Sequence, residues 1–190
     1  MSAPLYLALL HYPVYKKNGE VIITSITPMD LHDIARSCLT FGVKKYYVVN
    51  HLPTMQYLAR RIAEFWESDY GRNYNKTRTD AFSILKIEEQ IEGCINDIQN
   101  KHSVRPKLVA TSARPNKNNI SYHDLGEHLK QEEEPYLLLL GTGYGLINEF
   151  IRRCDYVLEP IMGAGEYNHL SVRSAAAIIL DRLCNQRKNG

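Results

Sequence analysis

The chain has 190 residues, 44% of them hydrophobic, and a formal charge of +2. That is enough apolar material for one domain with a substantial core, spanning 1–190, and too little charge to indicate nucleic acid by itself. Four scattered cysteines, Cys38, Cys94, Cys154 and Cys184, contain no C-x-x-C pair, so neither a zinc site nor a disulfide framework is expected. They read as reduced thiols of a cytoplasmic protein. The apolar run at 5–10 has no basic leader and is too short for a signal peptide or a membrane span.

Short apolar runs alternate with amphipathic stretches along the chain. Strands are expected at 5–10, 46–49, 82–85, 108–111, 136–140 and 156–158. Helices are expected near 28–41, 54–67, 87–100, 121–130, 145–153 and 171–187. This alternation predicts an α/β domain with a mainly parallel sheet flanked by helices.

The first helix is well signalled. Thr27 suits its N-cap, Pro28 its first position and Asp30 its first turn. Leu31, Ile34, Ala35, Cys38 and Leu39 form a buried stripe, and Arg36 falls roughly opposite it. On ordinary burial preferences Arg36 is a surface arginine. Asp30, His32 and Asp33 are candidates for a general base, and they are equally the normal content of a polar helix face.

The segment Tyr70-Gly71-Arg72-Asn73-Tyr74-Asn75-Lys76-Thr77-Arg78 interleaves aromatic and basic residues, the chemistry that stacks bases and neutralises phosphates. It also has the composition of a polar loop, which is the reading preferred here. Thr111-Ser112-Ala113-Arg114-Pro115 follows an expected strand, where open α/β sheets place ligand loops, so Arg114 is a second candidate for a reaction centre.

The C-terminal third is the most informative. An apolar strand at 136–140 runs into Gly141-Thr142-Gly143-Tyr144-Gly145-Leu146. Three glycines in five residues permit positive φ and close backbone approach to a ligand. The strand 155–158 leads into a second glycine-bearing loop, Ile161-Met162-Gly163-Ala164-Gly165, and Ser171 can cap a final helix with Val172, Ala176, Ile179, Leu180 and Leu183 on one face. Two glycine loops at two strand ends point to a small-molecule pocket walled by backbone.

This succession of strand, GTGYGL, strand, LEPIMGAG and HLSVRSAAAIILDRL resembles the C-terminal region of the SPOUT methyltransferases. The resemblance implies a C-terminal trefoil knot, an exception to the rule against threaded chains. It also implies S-adenosyl-L-methionine as cofactor, RNA (tRNA or rRNA) as substrate and a homodimer paired through the last helix and the first. For the cofactor it implies Leu140, Gly141, Thr142, Gly143, Gly145, Leu146, Ile161, Gly163, Gly165, Asn168, His169, Leu170 and Val172.

In the ribose-methylating branch an asparagine, an arginine and a glycine recur at six-residue steps. Asp30, Arg36 and Gly42 match that spacing, with aspartate in the asparagine position. The resemblance therefore makes Arg36 and Asp30 catalytic candidates, beside Arg114 from the strand-end loop. A guanidinium with a solution pKa above about 12 is better suited to orienting RNA than to removing a proton. The branch's glutamate is missing from GTGYGL, and Ser171 and Arg173 stand where it has asparagine and serine. Asn168-His169 resembles a pair in the guanine-N1 branch.

Two other readings remain at this level. GTGYG echoes a dinucleotide loop, but G-x-G-x-x-G belongs after the first strand of such a fold. An RNA-binding relative that has lost activity would account for the missing motif residues.

Overall fold

The computed structural model describes residues 2–116, 119–165 and 167–188, with side chains through Cys184. In chain order the elements are β1 (Leu5–Leu10), β2 (Val14–Tyr15), β3 (Val21–Ile22), α1 (Pro28–Thr40), β4 (Tyr46–Val49) and α2 (Pro53–Glu67). Then follow α3 (Asp69–Tyr74), α4 (Lys76–Phe82), β5 (Leu85–Glu88), α5 (Ile91–His102), β6 (Lys107–Ala110) and β7 (Asn119–Ile120). The chain finishes with α6 (Tyr122–Gln131), β8 (Tyr136–Gly141), α7 (Asn148–Ile151), β9 (Tyr156–Leu158) and α8 (Val172–Lys188).

Seven strands form one sheet in the order β5-β4-β1-β8-β6-β9-β7. Every pairing in it is parallel, while β2 and β3 make a separate antiparallel hairpin. The central strand is β8. Leu137, Leu138, Leu139 and Leu140 are each at most 2% exposed, because strands covered by helices on both faces have no solvent side. Each such leucine contributes about 1.5–3 kcal/mol relative to an exposed one.

The pleat divides the core in two. Leu5, Leu7, Leu9, Leu138 and Leu140 face Leu31, Ile34, Ala35 and Cys38 of α1, Leu125 and Leu129 of α6, and Ala176, Ile179, Leu180 and Leu183 of α8. On the other face Tyr6, Ala8, Leu10, Leu137 and Leu139 pack against Cys94, Ile95 and Ile98 of α5 and Ile151 of α7.

Several boundaries differ from the sequence reading. The segment 70–78 is not a loop: Ser68 and Asn75 cap two short helices by accepting from the N–H groups of Gly71 and Arg78. Phe82 ends α4 instead of opening a strand. It is fully buried against His32 and Trp66, and β5 starts at Leu85, level with Tyr46. The helix expected at 145–153 shrinks to α7, because Gly145 has φ +93° and Leu146 bridges to Val14. The helix expected at 87–100 begins only at Ile91, since β5 continues through Glu88. Leu39, assigned to the buried stripe of α1, is 40% exposed. β2, β3 and β7 have two residues each, too few to leave a periodic signal.

Candidate active site at the carboxyl end of the sheet

Strands β8, β6 and β9 are neighbours, so the loops following them emerge side by side. In open parallel sheets this end is where ligands bind. The loop after β6 lies between the two glycine loops. It is tied back to the sheet by Thr111, whose N–H and hydroxyl both donate to the Leu139 carbonyl, at 3.1 and 2.9 Å. Asn168, from the loop after β9, reaches across and donates to the Ala113 carbonyl at 3.5 Å. Arg114 is therefore placed between both glycine loops. It is exposed, with its backbone N–H held by the Ser112 hydroxyl at 3.0 Å.

An N-terminal segment that no motif singled out shapes the first glycine loop. The Thr142 N–H donates to the Leu10 carbonyl, and its hydroxyl meets that of Thr24. Tyr144 N–H donates to the Tyr15 carbonyl and Tyr15 N–H to the Gly145 carbonyl, each at 2.9 Å. The β2–β3 hairpin is thus laced onto GTGYGL. Gly143, with φ +60°, faces this hairpin: a Cβ there would lie 2.9 Å from the Tyr15 carbonyl oxygen. Leu146 is buried beneath the loop, in the second core cluster. Gly145 and Gly165 are different, with no atom within 4 Å of where a Cβ would stand. They leave open space beside the backbone.

The remaining cofactor candidates differ in exposure. Leu140 is buried and can offer only its backbone, Gly141 packs on Leu146, and Ile161 is half-buried. Gly163, His169 and Leu170 are exposed, and Asn168 and Val172 are half-buried. An open groove, lined by Asn116, Asn119, Asp124, His128, Cys154 and Tyr156, lies at the start of β9 and contains no residue of the two glycine loops.

On α1 the structure separates the two family-position residues. Arg36 is exposed and lines a shallow depression with Asp33, Ser37, Thr40 and Phe41. Asp30 is only 7% exposed and serves as an anchor. It accepts from the Thr27 hydroxyl at 2.7 Å and from Arg173 Nη1 at 3.3 Å. The same guanidinium reaches Asp33 through Nε, also at 3.3 Å. Arg173 thereby fastens the start of α8, where the second glycine loop ends, to α1, which carries Arg36.

His11 was also missed. It is fully buried one residue past β1, and neither ring nitrogen has a hydrogen-bond partner. Burial depresses its pKa, opposed by the nearby Val49 backbone and the Asp30 carboxylate. The available signal was parity: Leu5, Leu7, Leu9 and His11 follow one another on the same side of a strand. Among the described residues no three His, Cys, Asp or Glu side chains gather as a metal site, and no helix is long and apolar enough to cross a membrane.

A seven-stranded parallel sheet with glycine loops after β8 and β9 is the α/β architecture of the knotted SPOUT methyltransferases. The structure of AviRb, a SpoU methyltransferase from Streptomyces viridochromogenes in complex with AdoMet, superposes with a TM-score of 0.62 at 19% identity, covering 100% of this chain and 60% of that one. The sequence then makes the assignment: residues 4–185 match the family model for SAM-dependent RNA methyltransferases, and the chain belongs to that family. A protein of Aquifex aeolicus described as uncharacterized is 40% identical, over 97% of this chain and 90% of its own. A tRNA (guanine-N(1)-)-methyltransferase of Oleidesulfovibrio alaskensis is 38% identical over 94% of this chain. The chain spans only 41% of that relative's length, so the guanine-N1 chemistry is that protein's own.

Proposed function

We propose that the chain works in the cytoplasm as a homodimer that methylates a tRNA or rRNA nucleotide, with Arg36 on the substrate side of the reaction. The observation that carries this reading is the convergence of three loops, after β6, β8 and β9, at one end of the sheet in a chain of this family. The open sides of Gly145 and Gly165 and the half-buried Ile161 fit S-adenosylmethionine, whose adenine and ribose need apolar contact and close backbone approach. Bound there, it supplies an electrophilic methyl carbon on a sulfonium.

The protein's own part is positioning. Loop backbone and Ile161 hold the cofactor, Asn168 bonds the second glycine loop to the β6 loop, and the Arg173 ion pairs hold α8 against α1. Arg36 and Arg114 offer planar, bidentate donors for an RNA phosphate or the acceptor group. The depression that Arg36 lines is made by α1 and the residue after it, with no glycine-loop residue in it, which supports a site completed by a second copy. Met29 and Leu39 on α1, and Met162, Tyr167 and Leu170 in the loop before α8, are 40–80% exposed and supply apolar surface for that pairing.

Calorimetry with S-adenosylmethionine and its demethylated product, followed by labelled methyl transfer to total RNA and identification of the modified nucleoside, tests the proposal. Cofactor binding with methyl incorporation is the expected result. Cofactor binding without incorporation into any RNA would leave an inactive RNA-binding relative as the better reading.

A further inference from the structure

Far from the glycine loops, at the β5 edge of the sheet, α2 and α3 carry a connected set of aromatic rings. Phe65 contacts Trp66 and Tyr70, Tyr70 stacks on Tyr74, and Tyr74 returns to Trp66, with centroid separations between 5.1 and 6.3 Å. Trp66 is buried and has an evident structural role. Tyr70 and Tyr74 do not: they are 65% and 69% exposed, and their rings are parallel within 8°. Core packing does not explain two large rings left in solvent on adjacent turns of a six-residue helix.

The cations around them are distributed unevenly. Between residues 70 and 78 there are three basic side chains, Arg72, Lys76 and Arg78, and no carboxylate. Arg72 is only loosely paired, 3.9 Å from Asp69, and the Arg78 guanidinium lies 4.6 Å over the Trp66 ring. This patch also leads somewhere. Trp66 meets His32 of α1 edge-on at 5.5 Å; burial first, and then the charges of Arg78 and Arg36, lower the His32 pKa. Arg36 follows His32 by one turn, about 6 Å along the helix.

We infer that the exposed face of α3, with Tyr70 and Tyr74 as its stacking surface and Arg72 and Arg78 at its border, is a docking platform for unpaired bases of the substrate RNA, and that it leads the strand toward Arg36. Aromatic faces flanked by cations suit single-stranded RNA, because every base offers a π-face and every linkage a negative charge. Duplex RNA buries its base faces and has no use for the tyrosines. A protein partner would be expected to want a wider apolar patch than two tyrosines bordered by cations. The inference rests on the reading of this chain as an RNA methyltransferase and adds where its substrate is held.

Fluorescence anisotropy of the full chain with a mixed-sequence single-stranded oligoribonucleotide, and with the same strand annealed to its complement, gives the test. Tyr70→Ala and Tyr74→Ala should each weaken single-strand binding about tenfold. Tyr70→Phe and Tyr74→Phe should keep it. In methyl transfer the alanine losses should fall on KM for RNA more than on kcat. Photocrosslinking of 4-thiouridine RNA to the wild-type chain gives a readout independent of variant folding, with adducts expected within residues 65–78. Alanine variants that bind like wild type, a preference for the duplex, or crosslinks confined elsewhere would each overturn the platform. Wild-type methyl transfer is measured in parallel: its absence sinks the enzymatic reading, whereas its presence beside unaffected variants sinks the platform alone.

Discussion

Gly143 and Gly145 stand two residues apart in one loop, both with positive φ, and the structure gives them different work. An alanine at either position meets left-handed strain of about 1 kcal/mol. At Gly145, with φ +93° and open space around it, that is the whole cost to folding. At Gly143 the new Cβ would lie 2.9 Å from the Tyr15 carbonyl oxygen, which accepts the Tyr144 N–H bond at 2.9 Å. That carbonyl must move, and loosening its hydrogen bond adds about 1 kcal/mol. Gly143→Ala should therefore lower stability by about 2 kcal/mol and Gly145→Ala by about 1 kcal/mol. In a domain of this size the corresponding losses are roughly 4–8 °C and roughly 2–4 °C in Tm. Calorimetry should give the reverse order for S-adenosylmethionine, with the larger loss of affinity at Gly145, whose open side is the space a ligand would use. Thermal unfolding and titration of both variants decide the matter. Equal stabilities, or loss of cofactor binding at Gly143 with no loss of stability, would show that Gly143 faces the ligand and that the hairpin contact is incidental.

Arg36→Ala should fold and bind cofactor like wild type, since an exposed arginine outside the core adds little stability, yet methyl transfer should fall by orders of magnitude. Arg36→Lys keeps the charge without the planar fork, and wild-type rates in both variants would reduce Arg36 to a solvated helix residue. Sedimentation should find a dimer at micromolar concentration that Leu39→Arg, at a position 40% exposed on α1, dissociates; an active wild-type monomer would dispose of the shared site. Burial raises the Asp97 pKa, but hydrogen bonds from Lys86, Tyr47 and Lys45 outweigh this and hold it well below the usual carboxylate range. A depressed folded pKa gives stability that is complete above the unfolded value, about 4, and is lost as pH falls below it. Asp97→Asn should accordingly cost about 2 kcal/mol near neutral pH, with the gap to wild type closing below about pH 4 in denaturant titrations.

What the amino-acid order determines by itself is what local physics can express. Leu5–Leu10, Tyr46–Val49 and Tyr156–Leu158 are legible as strands because continuous apolar runs between turn residues have one good solution in a two-sided sheet. The start of α1 is legible because Thr27, Pro28 and Asp30 satisfy or tolerate its free N–H groups within one turn. The first glycine loop announces itself because Gly143 and Gly145 take positive φ, which glycine does at little cost. Pairing across the chain lies beyond that reach. Tyr15 is 130 residues from Gly145, and Asp30 is 143 from Arg173. No local preference predicts that one laces the first glycine loop or that the other anchors α8. Likewise the stretch 70–78 has the composition of a loop, and it becomes two helices because Ser68 and Asn75 cap it and Trp66 and Phe82 give it something to pack on. Residue types state which contacts are available; only the tertiary structure, by choosing which distant surfaces meet, decided which of them shape the site.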